Sequence, residues 1–227
     1  MKVAVVTVGN ELLAGRTTDT NATWLCKRLD DRGVVVDRVT TVPDRIADIA
    51  RVVNEYRAEY DAVIVTGGLG PTHDDLTMDG VAAALGRSLE EHEAALAWLE
   101  EDGYSRDDLA SGTTTLPAGA RALHNEDGVA PGAAIENVYI LPGVPSEMKT
   151  MFEAIAHEFE GTPTYRETVV AAEPESALLE RIADLREGFD VAVGCYPGES
   201  VRIELESADE DAVEAAATWL RERVEPP

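Results

Sequence analysis

Residues 62–75 read Ala-Val-Ile-Val-Thr-Gly-Gly-Leu-Gly-Pro-Thr-His-Asp-Asp. The apolar run 62–65 has the length of a strand and not of a helix, and it stops at a cluster of glycines. A strand without polar alternation is covered on both faces, as in parallel sheets flanked by helices. Gly67, Gly68 and Gly70 let the chain turn tightly and leave its N–H groups open to a close ligand, a geometry that suits an anion. A plain tight turn fits the same glycines. The stretch lacks the Gly-Lys-Ser/Thr of a Walker loop and the helix-opening third glycine of a dinucleotide fingerprint.

The same logic holds on either side. Residues 2–8 form a second β-branched run ending at Gly9, and residues 21–31 follow with Trp24, Leu25 and Leu29 at helical spacing before Gly33. A strand over 34–42, a helix over 44–60 and the strand at 62–65 continue the alternation, which predicts an α/β fold with a doubly wound, mostly parallel sheet in three layers. Helices are predicted at 76–85 and 90–101, an irregular segment at 102–119, a strand at 138–141 and a helix at 144–158. Gly161 and Pro163 mark a linker, and the order β-α-β-β-α is predicted over 167–171, 174–185, 191–195, 201–205 and 209–224. Two domains follow: residues 1–160, and a small α+β appendage at 165–227.

The chain has 227 residues and is 44% hydrophobic, enough for a sizeable core. Its 44 acidic and 19 basic residues give a formal charge of −25, so its own field opposes a phosphate backbone and no nucleic-acid partner is expected. Lys occurs only as Lys2, Lys27 and Lys149, and the other 16 basic residues are Arg. An acidic, lysine-poor surface resembles that of halophilic proteins, which work where salt screens self-repulsion. Cys26 and Cys195 have no second cysteine at ligand spacing and are expected as buried thiols, with no zinc site. No signal peptide and no membrane span is expected, and the protein is placed in the cytoplasm.

Asp74 and Asp75 open the predicted helix at 76–85, where acids serve as caps as readily as ligands. Two acids beside an anion-cradling loop repel a phosphate unless a divalent cation, Mg²⁺ or similar, lies between them. The loop after the first strand adds Asn10 and Glu11, and both loops face one crevice if their strands are neighbours. Glu11 then joins Asp74 and Asp75 around the cation or orients water; a solvated loop acid is the other reading. Asn21 reads as a helix cap or a ligand contact. In the passage 141–149, Pro142, Gly143 and Ser146 precede or open a helix whose N-terminus suits phosphate and whose residues also suit ordinary capping. The turn 128–132, ending in Gly132, is compatible with a flat ring lying over it. His73 is read as a bystander in the glycine loop, and His92, His124 and His157 as surface residues.

Taken in order, GNELLAG, DTN, TVPD, TGGLGPTHDDLT, GVAPG and LPGVPSEMK resemble the N-terminal domain of the CinA family (competence/damage-inducible protein A). That domain belongs to a wider group of molybdopterin-binding domains. The motifs span about residues 1–158, and the appendage resembles the family's small KH-type domain. The resemblance implies a pocket for a phosphorylated pterin such as molybdopterin, or for an adenine nucleotide. It also implies metal-dependent hydrolysis of ADP-ribose to AMP and ribose 5-phosphate. Position by position, Asp44 and Asp75 match acids of the family's pocket, and Gly67, Gly68, Gly70 and Thr72 match its phosphate loop. Leu69, and the pair His73-Asp74 before Asp75, favour the CinA side over the pterin enzymes, while Asn10 stands where many members carry Asp or Thr. The amidase domain of bacterial members has no room in this length. The leading expectation is thus an ADP-ribose-type pyrophosphatase with Glu11, Asp44 and Asp75 as catalytic residues. The alternatives are a molybdopterin-binding protein of molybdenum-cofactor biosynthesis and a non-catalytic nucleotide- or pterin-binding protein. A homodimer is expected by analogy.

Overall fold

The computed structural model describes residues 1–107 and 109–227 and divides them into two compact units, Met1–Gly161 and Thr162–Pro227. In the first unit the elements run β1 (Lys2–Val8), α1 (Asn10–Leu13), α2 (Thr20–Asp30), β2 (Val35–Val42), α3 (Ile46–Glu59), β3 (Ala62–Gly67), α4 (Thr77–Leu85), β4 (Leu89–Glu91), α5 (Glu93–Glu101), β5 (Thr115–Pro117), β6 (Arg121–Leu123), β7 (Gly132–Ile135), β8 (Val138–Pro142) and α6 (Pro145–Ile155). A 3-10 turn, Ala156–Glu158, follows. The second unit holds β9 (Tyr165–Ala171), α7 (Glu175–Gly188), β10 (Ala192–Tyr196), β11 (Val201–Ser207) and α8 (Glu210–Arg221).

Six strands of the first unit form one sheet in the order β2-β1-β3-β8-β7-β6. β2, β1, β3 and β8 are mutually parallel, and β7 and β6 close the far edge antiparallel. The expected α/β fold with a mostly parallel sheet is therefore present. The continuous apolar runs are explained by burial on both faces: Val3 to Val6 and Ala62 to Val65 are inaccessible or nearly so. One face packs Ile49, Val52, Val53, Met78 and Val81 from α3 and α4. The other packs Leu25 and Leu29 from α2 against Met148, Met151 and Phe152 from α6. Those methionines are core, and fully burying one such side chain contributes about 1.5–3 kcal/mol.

In the second unit β10, β11 and β9 form an antiparallel sheet. Ile203 and Leu205 pack there against Leu178 and Leu185 of α7 and Ala216, Ala217 and Leu220 of α8. The order β-α-β-β-α is the one read from the sequence.

Several short elements depart from the expectations. The loop after β1 begins with a single helical turn, α1. The segment 102–119 contains β5, which pairs with β4 just ahead of α5; residue 108 of that segment lies outside the described residues. β6 and β7 have three and four residues, too short to carry a period, and β7 is rich in Ala and Gly. Cys26 and Cys195 are half-buried free thiols instead of fully buried ones. His92 is half-buried because Nδ1 accepts the Ala95 N–H and caps α5, and His124 is half-buried against Trp98, with ring centroids 4.7 Å apart. His157 and His73 are exposed.

Candidate functional site

The C-terminal ends of four neighbouring parallel strands lie side by side, where doubly wound sheets collect their ligands. Across this edge Asp44 follows β2, Glu11 follows β1, the glycine loop follows β3, and Gly143 and Glu147 follow β8. β7 runs antiparallel, so its start, just after Val129 and Ala130, faces the same edge. A cleft of about 680 Å³ opens there, within the range usual for small-molecule sites. Glu11 and Asp75 share it, together with Asp44, Asp74, Gly67, Gly68, Gly70, Pro142 and Gly143.

The glycine loop owes its shape to Asp75. Its carboxylate accepts the Thr72 N–H at 3.2 Å and also takes a short hydrogen bond from the Thr72 hydroxyl. That hydroxyl lies 2.8 Å from Asp74 as well, so its single proton is shared between two carboxylates. This hydrogen bond, more than any other influence, holds the Asp74 carboxyl below the usual range. Leu69 is buried in the core, anchoring the loop, and also lines the cleft. Among the described residues, the N–H groups of Gly68, Leu69 and Gly70 have no acceptor.

Glycine is required here by crowding. A β-carbon on Gly67 would meet Thr77 Oγ1 and stand 2.8 Å from Val8 Cβ, and one on Gly70 would stand 2.8 Å from Asp75 Oδ2. Gly143 lets the end of β8 approach β3, since its β-carbon would be 3.3 Å from the Gly67 carbonyl carbon.

Asp44 fixes the neighbouring loop by accepting the Asn10 N–H at 2.7 Å. Glu11 folds back over Gly9, where a β-carbon would stand 2.5 Å from its Oε1, and its carboxylate has no partner among the described residues. The cleft is lined by five carboxylates, those of Glu11, Asp44, Asp74, Asp75 and Glu147, and by no Lys, Arg or His among the described residues.

Other expected contacts lie elsewhere. Thr72 shapes the loop but does not line the cleft, and Asn10 contributes its N–H to Asp44. Ser146 is exposed outside the cleft. Gly132 is buried inside β7, where a β-carbon would meet Met151 and stand 2.5 Å from the Ile140 carbonyl oxygen, so it serves close packing of β7 and does not line the cleft. The residues of that turn that do reach the cleft are Val129 and Ala130. Asn21 donates to the Gly143 carbonyl at 2.8 Å and lines a smaller side pocket of about 110 Å³ that shares Glu11 and Gly143 with the main cleft. It ties α2 to the end of β8; the helix is capped by Asp19.

A divalent cation fits this donor set in one way. Among the described residues no three of the His, Cys, Asp and Glu side chains converge to form a cage. Glu11 and Asp75 line the cleft, Asp74 is mostly exposed at its rim, and a cation there would take one or two carboxylates and complete its shell with ligand phosphates and water, the habit of Mg²⁺.

A family model described as "Probable molybdopterin binding domain" matches residues 4–161. The chain belongs to that family. Over the matched part it is CinA-like: the protein CinA of unknown function from Thermoplasma acidophilum is 36% identical in sequence, with a TM-score of 0.65, and the match covers 70% of this chain and 97% of that one. An Archaeoglobus fulgidus protein is 34% identical over 224 residues, covering 98% of this chain and 97% of the relative. A Pyrococcus furiosus protein is 35% identical over 244 residues with the same coverage on each side. These two relatives therefore extend through the appendage as well as the molybdopterin-binding domain.

The sequence singles out neither Tyr104 nor Glu147 as a residue of this cleft. Glu147 had a usable signal, an acid five residues past the end of a parallel strand. Tyr104 had none, because it comes from an irregular segment whose path no periodicity fixes.

Proposed function

We propose that the cleft binds a small molecule composed of a ring and a diphosphate, a nucleotide or a phosphorylated pterin, and hydrolyses its phosphoanhydride with the help of a divalent cation. The supporting observation is the pairing of opposites: free loop N–H groups suited to an anion, set among five carboxylates and no cationic side chain among the described residues. A diphosphate is repelled by such a site unless a cation accompanies it.

In this account the N–H groups of Gly68, Leu69 and Gly70 take up phosphate charge, more strongly as it grows in the transition state. Asp75 holds the loop to that shape through Thr72, and Asp44 fixes the loop that carries Glu11. Glu11, having no partner, orients water and accepts its proton. The water oxygen forms a bond to one phosphorus, the P–O–P bridge breaks, and two monophosphates leave. When bound, Mg²⁺ or a similar ion neutralises charge and polarises the phosphoryl oxygens.

Incubation with ADP-ribose and a panel of divalent ions tests this, with AMP and ribose 5-phosphate as expected products. No turnover of ADP-ribose or of other nucleoside diphosphate compounds with any ion removes the hydrolytic reading. A second reading, pterin binding without chemistry, is favoured by the matching family's description and by the structural hydrogen bonds that already occupy Asp44 and Asp75. Saturable binding of molybdopterin with no hydrolysis is its signature.

A further inference from the structure

The strand order arranges the cleft as a series. The glycine loop follows β3, Glu147 stands in the first turn of α6 just after β8, and Val129 and Ala130 precede β7, so the Glu147 carboxylate comes from the connection that lies between the phosphate loop and the small apolar turn. Val129 and Ala130, with Tyr104 and Leu109 on the same cleft, offer an apolar slot for a flat ring.

Glu147 is held in place. Asn125, itself buried, donates from Nδ2 to Glu147 Oε2 at 2.8 Å and to the Ala130 carbonyl at 2.9 Å, which ties the carboxylate to the ring slot. Gly128 closes against the same pair, since a β-carbon there would stand 2.5 Å from Oε2 and 2.7 Å from Asn125 Nδ2. Both N–H bonds of the Asn125 amide are used, so the pair presents only acceptors to a ligand. Oε1 of Glu147 has no partner among the described residues.

We propose that Glu147 reads the ribose of a ribonucleoside diphosphate, accepting hydrogen bonds from its 2′- and 3′-hydroxyls, with Asn125 as a positioning residue. A carboxylate placed between the phosphate and base sites needs a donor from the ligand, and a vicinal diol supplies two. A molybdopterin-type ligand carries a dithiolene in its middle section, so this carboxylate favours a nucleotide over a pterin. The assignment rests on the cleft being a diphosphate site.

The test is calorimetric titration of the whole chain, with Mg²⁺ present, using ADP, 2′-deoxy-ADP and inorganic pyrophosphate. Loss of a hydrogen bond to a charged acceptor predicts that 2′-deoxy-ADP binds about 10- to 100-fold more weakly than ADP. Glu147→Gln lowers ADP affinity towards that of the deoxy ligand and narrows the gap between them, while pyrophosphate binds as before. Equal affinity of the natural protein for ADP and 2′-deoxy-ADP overturns the ribose assignment and leaves the diphosphate site intact. Loss of pyrophosphate binding in Glu147→Gln also overturns it, because Glu147 then acts through the fold. If none of the three ligands binds the natural protein, the diphosphate site itself falls and the ribose assignment with it.

Discussion

The Asp75 carboxylate rests directly on the α-carbon of Gly68, and a β-carbon on that glycine would collide with Oδ1. The acid closest to the glycine loop is therefore first a strut that keeps the loop open. Gly68→Ala forces the carboxylate out of its hydrogen bonds to Thr72, an overpacking that costs about 1–3 kcal/mol. The same substitution in an Asp75→Ala background costs clearly less, because the colliding group is gone. Denaturant melts of the four proteins read this coupling, and additive effects contradict it.

Gly80 joins α4 to α3, with an added β-carbon 2.5 Å from both Cβ and Cγ2 of Ile49. Alanine in a helix gains about 1 kcal/mol over glycine, but a contact with a branched β-carbon cannot be relieved by rotating a side chain. Packing wins, and Gly80→Ala lowers stability by about 1–2 kcal/mol net. An unchanged or raised melting temperature contradicts the close approach.

The second unit is acid-sensitive at Glu173. Its carboxylate takes Arg181 Nη1 at 2.7 Å and Nη2 at 2.5 Å, and also the Glu225 N–H at 3.1 Å. The hydrogen bonds from Arg181, first among the causes, hold its carboxyl below the usual glutamate range. A folded value below the unfolded one gives stability that is fully present above about pH 4.3 and is lost as pH falls through the depressed value. Glu173→Gln removes that part of the acid dependence and lowers stability at neutral pH. Amide exchange across residues 165–225, followed with pH, measures it; identical acid profiles for the two proteins oppose it.

The charge of −25 predicts a protein that is more stable in concentrated salt. At about 1 M the Debye length is near 3 Å, short enough to silence repulsion between most surface carboxylates. Thermal melts from dilute buffer to molar KCl are expected to shift steadily upward. Equal melting in dilute buffer counts against a halophilic protein.

The long elements were legible because their signals are physical necessities. Residues 3–6 and 62–65 are apolar throughout since helices cover both faces, and α6 shows its buried stripe in Met148, Met151, Phe152 and Ile155. β6 and β7 were not, because strands of three or four residues have no room for a pattern. In the site, the glycine loop and its acids could be read, since their spacing is local. Gly132 misled because a glycine that serves packing and one that faces a ligand look alike in sequence, and only the neighbouring Met151 tells them apart. Glu147 gains its place from Asn125, 22 residues away, a pairing that only the fold creates.

In the proposed function a cation stands between the carboxylates and a diphosphate seated on the glycine loop. Crystals soaked with Mn²⁺ and a methylene-bridged analogue of ADP-ribose measure it directly through the anomalous signal of the metal. The expected result is a diphosphate over Gly68 and Gly70 with a manganese peak between it and the carboxylates of Glu11 and Asp75. A diphosphate bound there without metal, or a ligand seated away from the loop, contradicts the account.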